Sequence, residues 1–298
     1  MKNKYIKKWL CALICPLMMC LHVACNSEES DIERGHRYIN RKNYDRAIQN
    51  YSFAIKTNPS NPSAYYYRGL ARMQAGDLDA SIDDFSMTIK LDPNYFEAYI
   101  NRGTNLKTIG KLDEALIDYN KAIGLRPGDL QALLVRADIW FKKKLFDKAI
   151  SDYDAVIKND PKASIAYRGR GDAYYHKNSY QKSIKDYLET INLNPKDSFA
   201  YNNVAWIFST CADVKFRDGV KALQYSQKAV ELDPSPYNLS TLAAAYAEND
   251  KFGKAVKIIK ELIDNEKETN GLKDKLESYL ILFQSNQPLR EFGSPGRP

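Results

Sequence analysis

A proline returns every 34 residues. Pro59, Pro93, Pro127, Pro161 and Pro195 are evenly spaced, and Pro234 follows after 39. Each closes a similar phrase, from AIQNYSFAIKTNP through SIDDFSMTIKLDP and ALIDYNKAIGLRP to ALQYSQKAVELDP. A fixed period of this length signals a solenoid, in which each unit is one supersecondary element packed only on its neighbours. The length of 298 residues therefore sets a number of units rather than a number of globular domains.

Aligned on the prolines, the chain divides into seven units: 28–61, 62–95, 96–129, 130–163, 164–197, 198–236 and 237–270. Apolar residues recur in each at spacings of three and four, so each unit reads as two amphipathic helices and a short turn. Small residues hold one register of the first helix (Gly35, Gly69, Gly103, Ala137, Gly171, Ala205, Ala243) and one of the second (Ala47, Ser81, Ala115, Ala149, Ser183, Ala222, Ala255). Rings follow four residues after the second set in the first five units: Tyr51, Phe85, Tyr119, Tyr153 and Tyr187. The proline ends the second helix, because it lacks an N–H and disfavours helical backbone in the residue before it.

Arginines share the period, at Arg34, Arg68, Arg102, Arg136 and Arg170, as do the second-helix acids Asp84, Asp118, Asp152 and Asp186. The arginines could form a stripe for an acidic partner, but matching periods favour pairing inside the solenoid, for which the planar guanidinium is suited.

This pattern resembles the tetratricopeptide repeat, over roughly residues 28–270. The resemblance implies an all-α fold: a right-handed α-solenoid of about seven helix hairpins, with the array over 31–270, a C-terminal capping helix over 271–285 and a flexible tail over 286–298. It also implies a partner-binding groove lined by the first helices: Tyr66, Leu70, Met73, Ile100, Thr104, Leu134, Asp138, Phe141, Arg168, Asp172, Tyr175, Asn202 and Trp206. This aromatic and apolar surface with isolated charges suits an extended peptide or a helix. The family's clamp for a chaperone C-terminus needs lysine, asparagine and arginine where units one to three carry Ile32, His36, Tyr67, Glu97 and Asn101, so that role is not expected. Two units depart from the pattern. Unit one has Asp31 where later units carry a bulky filler, which predicts a loosely packed first helix. Unit six has Ser226 at the ring position and five extra residues between its helices, within FSTCADVKFRDG.

The net charge of +7 rests largely on the N-terminus. Without Lys2, Lys4, Lys7 and Lys8, 40 basic residues face 37 acidic ones, and overall charge makes no case for nucleic-acid binding. After this basic start comes an apolar run from Trp9 to Leu21, the length of a signal-peptide core and short for a membrane span. Val23-Ala24-Cys25 then resembles a bacterial lipobox, although His22 stands where that family prefers leucine. Residues 1–24 thus read as a lipoprotein signal peptide, Cys25 as the lipidation site and 25–30 as a tether. The expected location is the cell envelope, as an outer-membrane lipoprotein on its periplasmic or surface face.

Four of the five cysteines lie at 11, 15, 20 and 25, leaving Cys211 alone in the body, so no disulfide framework forms there. His36 and His176 stand far apart and belong to no metal-spaced set. Gly169-Arg170-Gly171 lacks the third glycine and preceding strand of a nucleotide loop. No enzyme activity, metal or cofactor is expected. The expected function is a protein–protein interaction scaffold holding a protein or peptide partner, with self-association through unit six open; the alternative is a receptor using the groove aromatics for a glycan or peptide ligand.

Overall fold

The structure, a computed structural model, describes residues 31–265 and 272–290, which are helix and connecting segments. The expectations for the signal segment, Cys25, the tether and the last eight residues lie outside the described residues. The chain divides into two compact units, through residue 132 and from residue 133.

The first unit holds three helix hairpins. Helix α1 covers 31–40 and pairs with α2 (Tyr44–Thr57); α3 (Pro62–Ala75) pairs with α4 (Leu78–Leu91), and α5 (Phe96–Thr108) with α6 (Leu112–Leu125). The second unit takes in most of α7 (Leu130–Lys142) with α8 (Phe146–Asn159), then α9 (Ser164–His176) with α10 (Tyr180–Leu193) and α11 (Ser198–Thr210) with α12 (Gly219–Leu232). It ends with α13 (Pro236–Glu248), α14 (Phe252–Asn265) and α15 (Leu272–Gln284).

Each periodic proline acts through the residue before it. Asn58, Asp92, Arg126, Asp160 and Asn194 cap the second helices with φ between −131° and −137°, the extended backbone that a following proline requires. Where the cap is Asn or Asp, its side chain accepts the N–H two residues on, as in Asp92 to Asn94 at 2.9 Å, which turns the chain into the next hairpin.

Hairpins close where a ring meets a missing side chain. A Cβ on Gly35 would lie 2.4 Å from the Tyr51 ring, on Gly69 2.8 Å from Phe85, on Gly103 3.1 Å from Tyr119 and on Gly171 3.0 Å from Tyr187. All four rings are buried. The second-helix small residues tie the same contact, since Ser81 and Ser183 donate to the carbonyls of Gly69 and Gly171 at 2.7 and 2.8 Å.

The arginine ladder is internal. Arg68, Arg102, Arg136 and Arg170 grip Asp84, Asp118, Asp152 and Asp186 through two guanidinium nitrogens each, at 2.6–2.9 Å for the shortest contacts. These aspartates are buried. Burial holds the Asp118 and Asp186 carboxyls above their ordinary range, against the pull of their arginines. Arg34 breaks the series, because Asn50 stands where its acid would be; it pairs instead with Asp31 on its own helix. Asp31 is buried, and Ile32, Tyr38 and Ile39 pack against the Ala47, Tyr51 and Ala71 cluster, so the first helix is not loose as its sequence suggests.

Candidate functional site

Several first-helix side chains are already engaged at one register. The Tyr51 hydroxyl meets His36 Nδ1 at 2.9 Å, Tyr119 meets Thr104 at 2.8 Å, and Tyr153 and Tyr187 donate to Asp138 and Asp172 at 2.7 Å each. In the one repeat where the ring is Phe85, with no hydroxyl, this position is Leu70. The polar residues at this register are the partners that buried tyrosine hydroxyls require. Thr104 also bonds the Ile100 carbonyl at 2.8 Å, which leaves it little to offer a ligand.

In the first unit, Tyr66 is half-buried among rings, 4.8 Å from Tyr95, 5.4 Å from Tyr67 and 5.8 Å from Phe85 between centroids. Asn101 donates to its hydroxyl at 3.1 Å. Burial raises the Tyr66 phenol and pushes Tyr95 up to about 12. Leu70, Met73 and Ile100 are half-buried, with Ile100 against the Phe96, Tyr99 and Ala122 cluster. Tyr66, Leu70, Met73 and Ile100 thus retain partly open surface on the first helices.

In the second unit, Leu134 and Phe141 are half-buried and Asp138 is exposed. Phe141 leans on Phe146 and His176, with centroids 5.5 and 5.2 Å away. Arg168 pairs with Asp197 at 2.8 Å and lies 5.7 Å from the Phe199 ring centre. Sequence spacing missed the two apolar residues beside it: Ile165 and Phe199 are 59% and 46% exposed. Their signal was available, since they stand one period apart near the starts of α9 and α11.

Four expected groove residues are not at the surface. Asp172 and Tyr175 are buried, and Asn202 and Trp206 are 0% and 2% exposed. Asp172 is occupied by Tyr187 and by Asn203 at 3.0 Å, and Tyr175 belongs to the large C-terminal cluster. Trp206 faces α15, with the Tyr279 ring centre at 6.5 Å and the Lys275 ammonium 5.8 Å away. Helical spacing identifies a face of α11 but not what packs over it. Here α11 lies directly against the alanine-rich α13, and α15 adds the cover over Trp206.

The cysteine and the two histidines of the described residues are engaged in packing. Cys211 is buried at the end of α11, and burial raises its thiol, the opposite of what a nucleophilic thiolate needs. His36 sits 4.4 Å from the Tyr67 ring, and His176 stacks on Phe146 at 5.0 Å. Among the described residues no three His, Cys, Asp or Glu side chains form a metal-sized group, and no helix is long and apolar enough to cross a membrane.

The hairpins, the ring-on-glycine contact and the internal arginine ladder define a class, the α-helical repeat solenoid. The particular family follows from the sequence models: TPR repeat models match residues 35–76, 63–95, 100–163 and 144–198. The chain is a tetratricopeptide repeat protein, a fold of protein-interaction scaffolds. No curated protein matches it in sequence. Among solved structures it is similar to a tetratricopeptide repeat protein from Parabacteroides merdae, with 17% identity over 87% of this chain and 99% of that one and a TM-score of 0.60. It is also similar to MamA, with 22% identity over 58% of this chain and 94% of that one and a TM-score of 0.55. YrrB, described as a TPR protein with an unusual peptide-binding site, is 21% identical over 58% of this chain and 89% of that one, with a TM-score of 0.54.

Proposed function

We propose that this protein is an adaptor at the bacterial cell envelope, held to the outer membrane by lipid at Cys25, which binds an extended segment of a partner protein on its first-helix faces. One observation carries the binding reading: Ile165 and Phe199 are large, apolar and exposed beside Arg168. Exposed apolar side chains around a positioned charge are what an extended peptide uses for affinity and register. In the first unit, Tyr66, Leu70, Met73 and Ile100 offer a related surface. The site in YrrB supports the reading by analogy of fold. The lipobox-like Val23-Ala24-Cys25 supports the location, and an acylated cysteine would supply the multiple chains that stable anchoring takes.

A photo-crosslinking amino acid at Ile165 or Met73 should capture a defined set of envelope proteins. The same probe at Phe53 or Ile117, exposed on second helices, should not. Equal capture from both helix faces would remove the groove from the function. Metabolic labelling with a palmitate analogue should mark the native chain and spare Cys25→Ala; label on both would remove the anchor.

A further inference from the structure

Charge is nearly balanced over the chain but not along its edges. In the second unit the turns joining first to second helices cover 142–148, 176–182 and 248–254, and the inserted segment covers 213–221. Together they hold 11 basic residues and five acidic ones, a net +6. The proline-side turns of the same unit, 158–162, 192–198 and 231–236, net −1. The corresponding first-to-second-helix turns of the first unit, 40–46, 74–80 and 108–114, also net −1.

The structure joins the basic turns into one edge of the second unit. Phe146 stacks on His176 at 5.0 Å, and Lys177 pairs with Asp147. Tyr180 meets Phe216 of the insertion at 5.5 Å. Arg217 reaches Glu248 at 3.2 Å, and Asn249 donates to the Gly219 carbonyl at 2.6 Å. Lys142, Lys144, Lys182 and Lys251 are exposed along it. Two apolar residues protrude between the charges, Leu145 at 40% and Val214 at 68% exposure. At the tip of the first turn Lys144 holds a left-handed backbone (φ 58°), in the register of Lys42 (φ 55°), Gly76 and Gly110 in the first unit.

We propose that this edge docks on an anionic lipid surface, lysines to the headgroups and Leu145 and Val214 into the interface. Charge complementarity selects an anionic partner, and exposed Leu145 and Val214 between the lysines select a lipid surface, whose interface offers them an apolar layer that an acidic peptide lacks. Lysine stems flanking protruding apolar residues are the arrangement of side chains that lie in a headgroup layer. The inference goes beyond the partner-binding proposal and does not require acylation of Cys25.

The test uses the full chain carrying Cys25→Ala, which removes the lipid. Binding to phosphatidylcholine vesicles reports the N-terminal apolar run; the gain on adding phosphatidylglycerol reports the N-terminal lysines and the edge together, and the edge variants separate the two. Lys142→Gln/Lys144→Gln/Lys251→Gln should lower that gain on the order of 100-fold, about fivefold per charge. The charge-matched control Lys56→Gln/Lys90→Gln/Lys121→Gln in the first unit should leave it intact, and Leu145→Ser/Val214→Ser should make what remains fully salt-sensitive. Circular dichroism checks that each variant is folded. No gain with phosphatidylglycerol, or equal losses in the two lysine sets, overturns the proposal. So does binding to polyglutamate without binding to anionic vesicles, which would assign the edge to an acidic protein.

Discussion

In the hairpins from α1–α2 through α9–α10, the large ring sits on the second helix and the first supplies glycine or alanine. In α11–α12 the second-helix ring is missing: α11 keeps its small residue, Ala205, but carries Trp206 at the register of His36, Leu70, Thr104, Asp138 and Asp172, while Ser226 takes the second-helix ring position. Both are buried. A regular hairpin consumes its ring inside itself. The α11–α12 hairpin turns its ring outward to Tyr279 of α15. That difference teaches why the inner face stays partly open beside α9 yet is closed at α11. A helix that presents tryptophan instead of a tyrosine-bonded polar residue needs another element to cover it, and the C-terminal helix does so.

The largest way to break the regular side of this comparison is Arg102→Met. It strands the Asp118 carboxylate, now with no cation, and should cost about 3–5 kcal/mol in urea unfolding. The loss should depend on pH with a definite sign. Asp118 already holds its proton more tightly in the fold than its ordinary value, because of burial. Without Arg102 that effect grows, so the variant should recover stability as pH falls through the raised carboxyl value and lose it as pH rises again. A pH-independent loss would show that the arginine acts by packing alone.

On the irregular side, Trp206→Ala should cost about 3 kcal/mol, as expected for emptying a buried aromatic site, and should raise hydrogen exchange in α15 more than in α9. Unchanged exchange in α15 would separate the tryptophan from the C-terminal cover. Trp206→Phe should cost far less, because the indole N–H is buried without a hydrogen-bond partner and its removal offsets part of the lost contact.

Restoring the usual ring sharpens the comparison. Ser226→Tyr alone should overpack a filled site and cost about 1–3 kcal/mol. Combined with Trp206→Asp, which regenerates the register of Asp172, the penalty should be less than the sum of the two single changes. Strict additivity in the double-mutant cycle would mean that the rings do not share one space. The smallest effect is expected at Tyr153→Phe, which removes the hydroxyl bonded to exposed Asp138: about 1 kcal/mol, visible as a shift in melting temperature. A much larger loss would give that hydrogen bond a structural weight its exposure does not suggest.

Much of the fold was legible because it is local and repeated. Gly35 with Tyr51 and Arg68 with Asp84 are each 16 residues apart, and the same offset returns in each regular repeat. Binding surface was legible only as a helix face. Tyr66 and Leu134 lie on that face with partial exposure. Asn202 and Trp206 share its spacing and are shut away, because what covers them comes from α13 and from residues beyond 271. The exposed pair Ile165 and Phe199 stand one period apart, but the same register holds Ser63, Glu97 and Gln131 in the preceding repeats, so the apolar signal spans only two units.

By itself the sequence determined the repeat period, the proline-directed turns, the ring-and-glycine seam and the partners of four of the five ladder arginines. These interactions run within one hairpin, so a fixed offset encodes them. Only the tertiary structure decided which first-helix residues stay open, and that lysines about 35 residues apart share one edge of the second unit. Burial and charge density are sums over neighbours in space, and a repeat period alone does not specify those neighbours at an irregular repeat or at the end of an array.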